Sequence, residues 1–235
     1  MSTVAILLAG GSGSRLQHRD NKVFVPVGGR PLLAWSLRAF ARAAAVTSLV
    51  VVTREGDDDQ VAAVVADQAL GLPLRMTTGG ATRHASEHAG LEAVAAEIVD
   101  GTIDVVLIHD AARPFASSEL VDRVAVEARE VGGAVPVIPL GDGIYRIADD
   151  HLRTPAPDLQ RVQTPQGFRA PELLDAYRRA ARDGFAGVDT SETVERYAEL
   201  SIAALPGDPA NIKITVPDDL RAARDIAVAR QRGAG

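Results

Sequence analysis

Short apolar runs that alternate with longer segments of helical period are the feature that most limits what this chain can fold into. The runs are VAILLAG (4–10), SLVVVT (48–53), DVVLIHD (104–110) and GAVPVIPL (133–140). Short strands separated by helices at this spacing indicate βαβ crossovers, which join parallel strands and place helices against a sheet. We therefore predict an α/β protein of Rossmann-like, three-layer architecture, in which helices cover both faces of a mostly parallel sheet.

The segments between these runs have the period of helices that face a core. PLLAWSLRAFARAA (31–44) places Leu33, Leu37 and Phe40 on one helix face. Further helices are predicted over 57–70, 81–98, 117–131 and 170–184. The segment NIKITVPDDLRAARDIAVARQR (211–232) is predicted to form a strand, a turn at Pro217 and a last helix.

The alternation stops between residues 140 and 168. This segment contains three prolines and two Asp-rich turn signals, and it lacks a helical period. Such a pattern favours an extended β-arm or hairpin that protrudes from the sheet. Because no repeat or linker divides the chain, we expect residues 1–235 to form a single domain with this arm.

Composition excludes several classes of function. The net charge is −6, which argues against a general binder of nucleic acid or of anionic membranes. The chain has no cysteine, so disulfides, thiolate catalysis and cysteine–zinc sites are excluded. The apolar start TVAILLAGG is too short to span a bilayer and carries no leader pattern, so we expect a cytoplasmic protein.

The segment LLAGGSGSRL (7–16) follows the first predicted strand, where open parallel sheets bind their ligands. Gly10, Gly11 and Gly13 leave bare backbone whose amides can approach phosphate oxygens. The dinucleotide fingerprint fails at Leu16, and the Gly-Lys-Ser/Thr of a P-loop is absent. A tight turn without any ligand remains the alternative.

Arg15 and Lys22 flank this loop. Two cations beside bare backbone can neutralise a triphosphate and stabilise the charge that develops on a transferred phosphoryl group. Each of them is also compatible with an ordinary solvated side chain.

The motif HDAARPF (109–115) places Asp110 at the end of a strand, where it suits a ribose hydroxyl or a magnesium-bound phosphate. Arg113 in the same motif suits a second anion. The alternative is a helix N-cap with a surface arginine.

Two later segments repeat this chemistry. TGGATRHASEH (78–88) again places glycines, an arginine and a serine after a strand, and its two histidines indicate a metal only weakly. Lys213 lies in the β-branched run NIKIT, where it either protects an edge strand or binds phosphate. The residues alone favour the edge-strand role.

Six features occur in the order in which they occur in one family of enzymes: LAGGSGSRL, Lys22, GGATR, HDAARPF, QTPQGF and GDPANIKIT. Taken together, they resemble the cytidylyltransferases that act on 2-C-methyl-D-erythritol 4-phosphate in the non-mevalonate isoprenoid pathway. The resemblance spans nearly the whole chain. The glycine loop alone would match any sugar-phosphate nucleotidyltransferase, and the ribitol 5-phosphate cytidylyltransferases share the same segments.

The resemblance implies a CTP-dependent transfer of CMP to 2-C-methyl-D-erythritol 4-phosphate, with release of pyrophosphate. It also implies Mg²⁺ bound with CTP, a polyol phosphate as second substrate, and a homodimer built by the arm at 140–168. No nucleic acid or membrane partner is expected.

Matching segments imply roles for individual residues. The implied catalytic residues are Arg15, Lys22 and Lys213. The implied nucleotide-binding residues are Leu8, Ala9, Gly10, Gly11, Ser12, Gly13, Ser14, Gly79, Gly80, Arg83, Ser86, Asp110 and Ala111. The implied acceptor-binding residues are Arg113, Asp142, Arg161, Asp189 and Thr190. The protein ligands of the metal stay open.

The chain departs from the family mostly on the acceptor side. Asp142 is followed by glycine instead of the family's threonine. The family's phosphate-binding arginine falls near Ala156, with Arg153 and Arg161 as stand-ins. The late Thr-Asp pair becomes Val-Asp-Thr at 188–190. Near the nucleotide side, Asn21 replaces the usual proline, and we expect this to affect only backbone stiffness.

These departures leave two alternatives to the methylerythritol phosphate enzyme. One is a cytidylyltransferase for another polyol or sugar phosphate, such as ribitol 5-phosphate. The other is a catalytically silent, dimeric nucleotide-binding protein. Retention of Arg15, Lys22 and Lys213 argues against the silent protein, which does not need cations for a transition state.

Overall fold

A central eight-stranded sheet organises the chain in the computed structural model, which describes residues 2–11, 21–141, 144–154 and 158–233. The strands are β1 (Ser2–Leu8), β2 (Pro26–Val27), β3 (Arg30–Pro31), β4 (Val46–Thr53), β5 (Leu74–Thr78), β6 (Ile103–Asp110), β7 (Gly132–Pro139), β8 (Arg146–Ala148), β9 (His151–Arg153), β10 (Gln160–Val162), β11 (Gln166–Arg169) and β12 (Ser201–Pro206). All but β2, β3, β8 and β9 belong to the central sheet.

Most neighbours in this sheet are parallel. β1 lies between β4 and β6, β5 pairs with β4, and β12 pairs with β7, all of them in parallel. β11 enters antiparallel between β6 and β7, and β10 pairs antiparallel with the far part of β7. The prediction of a mostly parallel α/β sheet is confirmed.

Eight α-helices accompany the sheet within the part of the chain that the structure describes. They are α1 (Leu32–Arg42), α2 (Asp58–Gln68), α3 (Arg83–Glu92), α4 (Ala95–Val99), α5 (Ser118–Val131), α6 (Ala170–Asp183), α7 (Thr190–Tyr197) and α8 (Pro217–Gly233). The single helix predicted over 81–98 is two helices, because the chain leaves helical geometry at Val94. The other predicted helices agree with α1, α2, α5, α6 and α8.

The helices form two cores, one on each face of the sheet. Leu33, Leu37 and Phe40 of α1 are fully buried against one face, as their spacing predicts. On the other face α3 approaches β1 so closely that a Cβ at Gly90 would lie 2.6 Å from Cγ2 of Ile6. Glycine at this position therefore allows α3, which begins at the cleft described below, to pack directly on the sheet.

The strand predicted for NIKIT is wrong. Residues 211–215 have no regular structure, and the Ile214 amide donates to the carbonyl of Ala112 over 2.9 Å. Ile214 packs in a third, smaller core together with Phe115 and residues of α8. The segment thus crosses the loop that follows β6. One edge of the sheet is formed by β12, which the apolar pattern did not reveal.

The predicted arm is shorter than residues 140–168. β8 and β9 form a hairpin with a sheet of its own, and Ile147 and Leu152 are 73% and 67% exposed there. Residues 160–169 belong instead to the central sheet through β10 and β11.

None of the helices in the described ranges is long and apolar enough to cross a membrane.

Candidate active site

A cleft of about 550 Å³ opens at the carboxyl ends of β1, β5 and β6. Its walls consist of Leu8, Gly10, Gly11, Lys22, Val23, Gly80, Ala81, Thr82, Arg83, Ser86, Asp110, Ala112, Lys213 and Thr215. This is the edge at which open α/β sheets bind ligands. Nine of the residues to which the sequence assigns a role line it: Leu8, Gly10, Gly11, Lys22, Gly80, Arg83, Ser86, Asp110 and Lys213.

Bare backbone forms one side of the cleft after β1. The Ala9 amide donates to the Val52 carbonyl over 2.8 Å, which continues the sheet up to the glycines. A Cβ on Gly11 would lie 3.5 Å from Cε of Lys22, so the glycine backbone and the lysine stem are neighbours. Ser12, Gly13, Ser14 and Arg15 lie outside the described residues.

The start of α3 forms the opposite side. Thr82 caps the helix by accepting the Ala85 amide proton over 3.1 Å, and Ser86 Oγ donates to the Thr82 carbonyl over 2.9 Å. A Cβ on Gly79 would lie 2.6 Å from Ser86 Oγ, so glycine lets the strand turn into the helix here without displacing Ser86. The N-terminal end of α3 thus lies at the cleft, where the helix dipole favours an anion.

Asp110 lies between two cations at the floor of the cleft. Lys213 Nζ donates to Asp110 Oδ2 over 2.7 Å, and Arg83 Nε donates to Oδ1 over 3.0 Å. Burial alone would raise the pKa of Asp110, but the charges of Arg83 and Lys213 outweigh it and hold that pKa well below its usual range. The carboxylate therefore stays ionised and keeps both cations oriented.

The Asp110 backbone is held by a buried chain of hydrogen bonds. Its amide donates to Thr164 Oγ1 over 3.1 Å, and this hydroxyl lies 2.9 Å from His109 Nδ1. His109 Nε2 lies 3.0 Å from the Arg113 carbonyl, which can only accept, so Nε2 carries the proton and Nδ1 accepts from Thr164. Burial lowers the pKa of His109 to about 4, which keeps the ring neutral.

Lys22 reaches the cleft from the short 3-10 helix Lys22–Phe24. Its Nζ donates to the carbonyl of Ile214 over 3.1 Å, in the same segment that carries Lys213. Lys22, Arg83 and Lys213 thus bring three positive charges to one cleft, although the chain as a whole is acidic.

Behind Arg83, a fully buried glutamate joins three helices. Arg83 Nη1 lies 2.7 Å from Oε1 of Glu87, and Tyr177 Oη donates to Oε2 over 2.9 Å. Burial raises the pKa of Glu87, which the charge of Arg83 and the hydrogen bonds from Thr190 and Tyr177 oppose only in part. The guanidinium of Arg83 is therefore placed between Asp110 and Glu87.

The residues expected to bind the acceptor do not line this cleft. Arg113 Nη1 donates to the Asn211 carbonyl over 2.9 Å, and Arg161 is exposed on β10. Asp189 caps α7, whereas Thr190 is fully buried and donates to Glu87. Asp142 lies outside the described residues. Ala9 and Ala111 are fully buried and do not line the cleft, and Gly79 adjoins the lining residue Gly80.

The structure also corrects one expectation and adds residues that the sequence did not reveal. Asn21 was expected to affect only backbone stiffness, which is wrong because its buried side chain makes three hydrogen bonds. Thr82 and Thr215 line the cleft, and Thr82 is the N-cap of α3, a position that favours threonine and could be recognised in the sequence. Asp219 accepts from the Thr215 amide and hydroxyl over 2.6 and 2.8 Å.

Fold and cleft together define an open α/β protein whose strand ends present bare backbone and several cations, an arrangement that suits a phosphorylated ligand. The chain belongs to the family described as IspD, 2-C-methyl-D-erythritol 4-phosphate cytidylyltransferase, whose family model matches residues 3–229. The family resemblance inferred from the sequence is thereby confirmed.

Relatives and solved structures agree with this membership. The chain is 39% identical to a bifunctional enzyme IspD/IspF of Rhodopseudomonas palustris (strain BisB5) over 92% of its length, and it spans 54% of that protein. It is 40% identical to the bifunctional enzyme IspD/IspF of Dinoroseobacter shibae over 98% of its own length, and it spans 54% of that protein. The chain thus spans about half the length of these curated relatives.

Two solved structures share this fold over nearly their whole length. One is the 4-diphosphocytidyl-2C-methyl-D-erythritol synthase of Anaerococcus prevotii, with a TM-score of 0.83, 28% identity and 95% coverage of each chain. The other is the 2-C-methyl-D-erythritol 4-phosphate cytidylyltransferase of Thermus thermophilus, with a TM-score of 0.76, 34% identity and coverage of 97% and 100%.

Proposed function

We propose that this chain transfers CMP from CTP to 2-C-methyl-D-erythritol 4-phosphate, giving 4-diphosphocytidyl-2-C-methylerythritol and pyrophosphate. One observation carries the proposal: in a chain of the IspD family, a cleft with bare backbone at Gly10 and Gly11 also holds Lys22, Arg83 and Lys213. Such a cleft suits a triphosphate, because several cations offset its charge while glycine backbone lets it approach closely.

In the proposed reaction, a phosphate oxygen of the acceptor attacks the α-phosphorus of CTP. The bond from this phosphorus to the oxygen that bridges to the β-phosphorus breaks, and pyrophosphate leaves with that oxygen. Lys22 and Lys213, together with Arg15, stabilise the negative charge on the five-coordinate phosphorus. Orientation and charge neutralisation are sufficient for such a transfer, so no covalent intermediate with the protein is needed.

Magnesium fits the cleft as an ion that arrives with CTP. Among the described residues, Asp110 is the one carboxylate in the cleft wall, and no three acidic or histidine side chains there form a protein-only metal site. Magnesium is commonly held by substrate phosphates plus one or two carboxylates, so Asp110 would hold it. When bound, the ion would reduce the negative charge of the phosphates.

The proposal extends to the acceptor and to the assembly. Arg113, Asp142, Arg161, Asp189 and Thr190 are the proposed acceptor side, although Thr190 contributes through Glu87 rather than by contact. We assign the homodimer contact to the β8–β9 hairpin, because the exposed apolar side chains of Ile147 and Leu152 suit burial against a second copy. A cytoplasmic location agrees with two phosphorylated substrates.

The test is pyrophosphate release from CTP and magnesium with a panel of polyol phosphates. We expect release with 2-C-methyl-D-erythritol 4-phosphate, and a decrease of about 100-fold or more for Lys22→Ala. Release with ribitol 5-phosphate but none with the methylerythritol phosphate would overturn the proposed acceptor. CTP binding without release for any acceptor would identify the silent nucleotide-binding protein instead.

A further inference from the structure

Asn21 immediately precedes Lys22 and is only 1% exposed. Its side-chain oxygen accepts the Val23 amide proton over 3.2 Å and thereby caps the 3-10 helix that carries Lys22. Its side-chain nitrogen donates to the Ala9 carbonyl and, over 2.9 Å, to Oδ2 of Asp57. Both N–H donors and the oxygen of one amide are thus directed at three separate segments.

Asp57, which accepts a hydrogen bond from Asn21, is itself held in place. Asp57 is 5% exposed, and its Oδ1 accepts from Nη2 of Arg54 over 2.8 Å. Arg54 and Asp57 lie in the turn between β4 and α2, while Ala9 lies at the end of β1. The Asn21 amide therefore connects the lysine turn to the loops after two neighbouring strands of the sheet.

We infer that Asn21 is a positioning residue that holds Lys22 at the cleft by tying its turn to the Asp57 carboxylate and the Ala9 carbonyl. The inference rests on the role proposed above for Lys22 in CMP transfer. Lys22 is long and flexible, and its Nζ meets the Ile214 carbonyl only if the turn stays in place. A buried hydrogen-bonded amide supplies that constraint, because its loss removes the hydrogen bond to the buried Oδ2 of Asp57 and leaves Arg54 as the partner of Oδ1 alone.

The decisive variant is Asn21→Asp, which keeps the shape and the cap but removes the donor and turns a carboxylate towards Asp57. We expect kcat to fall about 10- to 100-fold, with a smaller change in KM for CTP, because a small displacement of a charge-stabilising group acts on the transition state. The double variant Asn21→Asp/Asp57→Asn restores a donor–acceptor pair with reversed direction and should recover part of kcat. Gln68→Glu is the matched control, since it also replaces an amide that donates to a carboxylate, on α2 and outside the cleft wall.

The Lys22→Ala background distinguishes a role of Asn21 that acts through Lys22 from a purely structural role. If Asn21 acts through Lys22, Asn21→Asp should lower kcat no further in Lys22→Ala. If Asn21→Asp lowers kcat in Lys22→Ala by the same factor as in the wild type, the inference fails. It also fails if Asn21→Asp/Asp57→Asn has a kcat no higher than that of Asn21→Asp.

Crystal structures of the wild type and of Asn21→Asp provide a readout that does not depend on activity. We expect Lys22 Nζ to leave hydrogen-bonding distance of the Ile214 carbonyl in the variant, and an unmoved Lys22 would overturn the inference. If the wild type releases no pyrophosphate, the proposed function fails, and this structural comparison still decides the role of Asn21.

Discussion

Lys213 Nζ donates to Asp110 Oδ2 over 2.7 Å, although 103 residues separate the two side chains along the chain. The pair joins the last residue of β6 to a segment without regular structure, which has no strand pairing to hold it in place. Lys213 is therefore placed by tertiary contacts, whereas Asp110 is held at the end of a paired strand.

Replacing Lys213 removes a cation that contacts the cleft's carboxylate. We expect Lys213→Met to lower kcat/KM for CTP about 100-fold, because the charge developing at phosphorus loses one of its stabilising groups. The measurement is pyrophosphate release at varied CTP. Arg221→Met is the control, since Arg221 forms an ion pair on exposed α8 surface and should keep full activity. Equal losses in both variants would contradict a specific role for Lys213.

Two glycines of the cleft should respond differently to alanine. Gly79→Ala introduces a Cβ 2.6 Å from Ser86 Oγ and 2.9 Å from Cγ1 of Val52, so we expect about 1–3 kcal/mol less stability towards urea. Gly11→Ala introduces only an ordinary contact at 3.5 Å and should keep its stability. Similar urea midpoints for the two variants would show that the turn before α3 relaxes freely.

His109 should make stability depend on pH. An unfolded histidine takes up a proton near pH 6.5, but buried His109 does so only near pH 4. Protons therefore favour the unfolded chain between these values, and the free energy of unfolding should fall by about 2 kcal/mol from pH 7 to pH 5 through this residue. In urea titrations His109→Gln should show a weaker fall over that range, and an equally steep one would contradict the assignment.

Glu87 and Glu92 offer a matched comparison on α3. Glu87→Gln leaves Arg83 and the buried hydroxyls of Tyr177 and Thr190 without their carboxylate, so we expect a loss of about 2–4 kcal/mol in the free energy of unfolding. Glu92→Gln disrupts an exposed pair with Arg178 and should cost less than about 1 kcal/mol. Thermal or urea unfolding would compare the two, and equal costs would refute a buried network.

The parts of the fold that the sequence predicts are those set by local pattern. Continuous apolar runs predict β1, β4, β6 and β7, because strands covered on both faces have no polar side to interrupt them. Spacing likewise predicts α1, α5 and α6. β12 lies at a sheet edge and consists of exposed and half-exposed residues. Its sequence SIAALP predicts a strand less strongly than the β-branched run NIKIT, which is not a strand.

Sequence reasoning selects the glycines and cations that line the cleft better than it selects their supporting residues. A glycine that follows a strand can be recognised from the few residues around it, so Gly10, Gly11 and Gly80 could be selected from the sequence. The contacts of Asn21 with Asp57 and of Thr164 with His109 join residues far apart in sequence, and only the folded chain reveals them. Thr190 was misleading for the same reason, because its buried partner Glu87 belongs to another helix.

The place of β11 between β6 and β7 has a consequence for synthesis on the ribosome. When residues up to Asp110 have emerged, one edge of β6 is paired with β1, while the other has no strand to pair with until residues 166–169 follow. An open edge of this kind is where a nascent chain pairs wrongly. The cation that completes the floor of the cleft emerges later still, at Lys213, so a truncated translation product would hold the glycine loop but an incomplete charge pattern.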